Sequence, residues 1–98
     1  MIKNKRKKLK YIYRLHAIER MFQRDISEKD VEEVVENGEI IEEYIDDKPY
    51  PSCLVLGYSD GVAIHVVYAK DEENNIIVIT AYRPNYDKWE TNLKIRKV

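Results

Sequence analysis

From Leu15 onward, apolar residues recur at helical intervals. Leu15, Ile18, Met21 and Phe22, with Ala17, form one side of a helix. His16, Arg20 and Arg24, each four residues from the next, stack as a ridge beside that side. The segment "DIS" ends this helix and opens another. Ser27 is an expected N-cap, with Asp30 placed for a capping box and Ile26 and Val31 placed for a hydrophobic staple. Val31, Val34 and Val35 give the second helix a buried stripe, and Glu32, Glu33 and Glu36 face water. Gly38 is expected as a left-handed C-cap. The pattern predicts a helical hairpin over residues 15–37.

After Gly38 the period changes to two. "IIEEYID" reads as a strand, and "KPYPS" interrupts it, because two prolines remove ladder donors. "CLVLGYS" and "VAIHVVYA" are strands joined by Asp60-Gly61, a strong hairpin signal. The polar loop "KDEENN" leads to a further strand, "IIVITAYR", which Pro84 closes. "YIYR" at 11–14 suits either a short strand or an early helical turn. For the tail, "NYDKWETNLKIRKV", the expectation is a short helix anchored by Trp89. The order implies an α+β fold, with the two-helix hairpin packed on one face of a four-stranded antiparallel sheet. The other face is left open or partly covered by the tail.

With 98 residues, one domain is expected, spanning 11–98 behind a basic arm at 1–10. Residues 3–14 hold five lysines, two arginines and no acid, although the net charge is −1. Such an arm contacts nucleic acid or an acidic partner, or is simply a solvated terminus. The single cysteine, Cys53, excludes an internal disulfide and fits a reducing cytoplasm. No apolar run is long enough to span a membrane, and the start lacks the apolar core of a secretory signal.

Chemistry is sparse. His65 lies in an apolar strand, either as a core residue or as a general acid or base, a role that imidazole suits near neutral pH. Thr80 and Tyr82 share one face of the last strand, and Ala81 and Arg83 the other. Pairing Ala69 with Ile76 sets His65 beside Thr80, and a slip of one residue sets it beside Ala81 and Arg83. The arginine forks suit phosphate, but Arg20 and Arg24 also have Glu19, Glu28 and the acidic second helix as potential partners. The eight tyrosines are either strand residues or stacking platforms for unpaired bases. Two distant histidines and one cysteine make a poor metal site, and no glycine-rich phosphate loop is present. A Cys53–His65 nucleophilic dyad is the weakest option.

Taken together, "HAIERMFQRDIS", "VVENGEIIEEY", "IHVVY" and "IVITAYRPNYDKW" resemble an uncharacterised bacterial domain family over roughly residues 14–89. That family is similar to the RelE/ParE toxin superfamily, including MqsR-like mRNA interferases. The resemblance implies two helices on a curved antiparallel sheet and a toxin of a type II toxin–antitoxin pair. It implies cleavage of mRNA, free or on the ribosome, without a metal or other cofactor, and a cognate antitoxin as partner. Carried over by motif, His65 is expected as acid or base, Arg83 as phosphate clamp, and Tyr82 or Tyr86 as proton donor or base-stacking group. His16, Arg20, Arg24 and Thr80 are the remaining polar positions that the resemblance assigns to substrate. The alternative is a non-catalytic module that binds and regulates a protein partner.

Overall fold

The computed structural model describes residues 9–98. Most of the basic arm therefore lies outside the described residues. The chain runs through β1 (Tyr11–Tyr13), α1 (Leu15–Arg24), α2 (Glu28–Asn37), β2 (Glu39–Tyr44), β3 (Ser52–Ser59), β4 (Val62–Lys70) and β5 (Ile76–Tyr82). The five strands form one sheet in the order β1-β5-β4-β3-β2. Neighbours from β2 to β5 are antiparallel, whereas β1 lies parallel to β5, with Tyr11 beside Ile76 and Tyr13 beside Val78. The expected four-stranded antiparallel sheet is thus corrected to a five-stranded mixed one. "YIY" is too short for its period to be read, and its partner lies at the far end of the sequence.

The helical hairpin forms where its signals stand. Ser27 accepts the Asp30 N–H while the Asp30 carboxylate accepts that of Ser27, so the capping box is complete. These bonds to Ser27, with one from Ser59, hold the Asp30 carboxyl below its ordinary value. Asp25, left-handed at φ 56°, ends α1, and its neighbour Ile26 is buried beside Val31 as the staple requires. Gly38 is not the left-handed cap expected of it: its backbone is extended. The face of α1 is also narrower than its apolar pattern. Ala17 and Met21 are buried, but Leu15, Ile18 and Phe22 are 67%, 48% and 87% exposed.

The helices cover one face of the sheet. There Ala17, Met21, Val31 and Val34 pack with Val55, Ile64, Val66, Val78 and Ala81. Close approach of α2 to β3 requires Gly57, where a Cβ would lie 2.9 Å from Val34 Cα. Asp60 and Gly61, both at positive φ, make the tight β3–β4 turn. On the other face, Trp89 and Leu93 cover Leu54 and Leu56. The tail that carries them contains no helix, contrary to expectation. It is a series of turns closed by a bridge between Trp89 and Arg96. Among the described residues, no helix is long and apolar enough to cross a membrane.

Candidate functional site

A bulge between Val67 and Tyr68 shifts the β4–β5 register, and His65 stands opposite Tyr82. This replaces both expected neighbourhoods, Thr80 in one register and Ala81 with Arg83 in the other. His65 and Tyr82 belong to the face covered by the tail. The imidazole has no exposed surface. It meets Tyr82 and Trp89 edge-on, with ring centroids 5.3 and 4.5 Å away.

Both ring nitrogens are engaged. Nε2 lies 2.8 Å from the carbonyl oxygen of Leu93, which only accepts, so Nε2 carries the proton of the neutral ring. Nδ1 is then the acceptor for the Tyr82 hydroxyl, 3.2 Å away. Burial pushes the His65 pKa below its ordinary value, against the opposing pull of the Leu93 carbonyl. Burial likewise raises the Tyr82 phenol, while the charges of Arg96 and Arg24 act in the other direction.

Tyr82 and Trp89 open onto a cleft of about 510 Å³ at the end of β5. Four cationic residues, Arg24, Arg83, Lys88 and Arg96, line it with Pro84 and Asn85, and no carboxylate is among the lining residues. The cations arrive from both faces. Arg24, in the last turn of α1, donates to the Ala81 carbonyl at 2.8 Å and ties the helix to β5. Arg83 points to the helix side and donates to the carbonyls of Arg24 and Asp25, placing a cation at the C-terminus of α1. Arg96 lies 4.6 Å above the Trp89 ring and forms a two-pronged pair with Glu42, at 2.9 and 3.0 Å. The Arg96 bond holds Glu42 below the usual carboxylate range and in turn raises Arg96.

Among the anticipated residues, the fold unites Arg24, Tyr82 and Arg83, with His65 behind Tyr82. His16, Arg20 and Tyr86 are exposed and Thr80 is half-buried, and none of the four lines the cleft. Lys88 and Arg96 were not anticipated, because the tail has no period that assigns them a side. Trp89 was expected as an anchor and is one. Cys53 belongs to the helix face and His65 to the tail face, so the dyad does not exist. Burial raises the Cys53 thiol above its ordinary value. Among the described residues, no group of three His, Cys, Asp or Glu side chains is placed to hold a metal ion.

A family model described as "Domain of unknown function (DUF4258)" matches residues 13–83. The chain belongs to this family. The match contains Arg24, His65, Tyr82 and Arg83, and stops short of Lys88, Trp89 and Arg96. No curated protein and no solved structure matches the chain. Nothing in these comparisons links the chain to the RelE/ParE toxin superfamily.

Proposed function

We propose that the protein is a metal-independent endoribonuclease acting on mRNA in the cytoplasm, as the toxin of a type II toxin–antitoxin pair. The observation that carries this reading is the Tyr82 hydroxyl, bonded to a neutral His65 and set among Arg24, Arg83, Lys88 and Arg96. The motif resemblance to RelE/ParE toxins supports it. A ribose 2′-hydroxyl gives its proton to Tyr82 Oη as Tyr82 passes its own proton to His65 Nδ1. The 2′-oxygen attacks the adjacent phosphorus and the bond to the 5′-oxygen breaks. The proton returns through Tyr82 to that oxygen, leaving a 2′,3′-cyclic phosphate and a 5′-hydroxyl. The guanidinium and ammonium groups stabilise the anionic transition state. Tyr82 is the catalytic residue, and His65, which reaches no solvent, positions it and holds its proton.

The test is incubation of the full chain with a defined RNA in the presence of EDTA, reading cyclic-phosphate ends. Tyr82→Phe is expected to lower the rate by roughly 10²–10⁴-fold. An undiminished rate in that variant sinks the mechanism.

A second reading, a non-catalytic module that binds and inhibits or regulates a protein partner, is favoured by the exposed apolar stripe of Leu15, Ile18 and Phe22 on α1. In that case induction arrests growth with mRNA intact, and Phe22→Glu relieves the arrest.

A further inference from the structure

We infer that the ridge of Arg24, Arg20 and His16 on α1 prolongs the cleft as a track for the phosphate backbone of a single-stranded RNA. This rests on the reading of the cleft given above and adds which part of the substrate the ridge holds.

Arg24 lines the cleft, and Arg20 and His16 follow one and two turns back along the same side of α1. A helix rises about 1.5 Å per residue, so each step of four residues advances about 6 Å. That step is close to the separation of successive phosphates along an unstacked strand. The Arg24 bond to the Ala81 carbonyl fixes the orientation of the helix end, so the ridge has a set direction at the mouth of the cleft. Arg20 and His16 are exposed. The ion pairs among the described residues are Lys94–Glu39 and Arg96–Glu42, so no acid of α2 is paired with Arg20 or Arg24. Glu19, the one acid of α1, stands three residues from His16 and so borders the ridge only at the end away from the cleft. A cleft of about 510 Å³ has the size of a small-ligand pocket. That volume is room for an unpaired nucleotide.

Binding of a 2′-O-methyl trinucleotide and a 2′-O-methyl nonanucleotide to the full chain, measured across salt concentrations, tests the track. The methylated ribose prevents cleavage. The trimer fills the cleft, and the nonamer also spans the ridge. The wild type is expected to bind the nonamer more tightly and with a steeper salt dependence. Each phosphate contact on a single strand contributes about 0.7 to the slope. Arg20→Ala should lower the nonamer slope by about that amount, weaken the nonamer several-fold, and leave the trimer unchanged. A deoxy nonamer should lose the same increment, since the ridge meets phosphate alone.

Equal nonamer binding by wild type and Arg20→Ala overturns the track, while trimer binding lost in Lys88→Ala keeps the cleft reading intact. Failure of the wild type to bind either oligonucleotide overturns both. A glutamate-rich peptide of equal charge that binds more tightly than the nonamer, and loses its affinity in Arg20→Ala, makes the ridge a protein-docking surface and also overturns the track.

Discussion

The two faces of the sheet are built in different ways. On the helix face, stripes from α1 and α2 meet alternate residues of β3, β4 and β5, and the buried cluster is wholly apolar apart from tyrosine and cysteine. On the tail face, Leu54 and Leu56 are covered by a segment without helix or strand, and a histidine is buried beside them. Regular elements cover a sheet with side chains repeated at fixed intervals, which leaves little place for a polar group. A turn-rich tail presents its backbone inward, and the Leu93 carbonyl satisfies an imidazole that would otherwise be costly to bury. The candidate chemistry sits where the covering is irregular.

The sharpest way to break this contrast is to remove the anchor of the tail. Trp89→Ala should cost about 3–5 kcal/mol in urea unfolding, by analogy with other deletions of buried aromatics. Amide exchange should rise first across residues 85–96 and remain slow on the helix face. Uniform exchange on both faces would mean that the tail is part of the primary core.

A smaller loss is expected on the helix face from Gly57→Ala. The added methyl meets Val34 at 2.9 Å from Cα and 3.0 Å from Cγ1, and overpacking of this kind costs about 1–3 kcal/mol. RNA binding by the folded fraction should be unaffected, which would separate the core-forming face from the site-forming one.

The smallest effect is pH dependence. His65 has a folded pKa below its ordinary 6.5, so the unfolded chain takes up the proton first as pH falls. The stability tied to the neutral ring is complete above pH 6.5 and drains away below it, by at most about 1.4 kcal/mol per pH unit. The carboxyl groups of Asp30, Glu42 and Asp71 have lowered values and lose their contribution further into the acid range. His65→Gln should flatten the unfolding profile just below pH 6.5 and leave the acid limb unchanged.

The same contrast explains what could be read from the chain. Ser27 with Asp30, the valines of α2 and the Asp60-Gly61 turn each act within a few residues, and each appears where its pattern stands. β1 was ambiguous because three residues carry no usable period and its pairing is with β5. The position of His65 depended on a bulge that nothing in the alternation announces. The broad apolar side of α1 overstated its burial, since the sheet beneath takes only Ala17 and Met21. For the site, Arg24, Tyr82 and Arg83 were singled out through the motif resemblance, while their residue types alone left core and surface roles open. Lys88 and Arg96 were not, because a turn-rich tail folds back by contacts such as Arg96 with Glu42 and with Trp89, which span distant parts of the sequence.

The parallel pairing of β1 with β5 has a kinetic consequence. β1 is completed by β5, so its pairing must wait until nearly the whole domain has been synthesised. Its closure is the longest-range pairing in the fold, and such pairings form slowly because loop entropy is lost before the contact is gained. Because α1 follows β1 directly and carries Arg24 to the end of β5, the cleft is assembled only at that late step. A nascent chain would have its α2–β3–β4 scaffold before the cleft was complete.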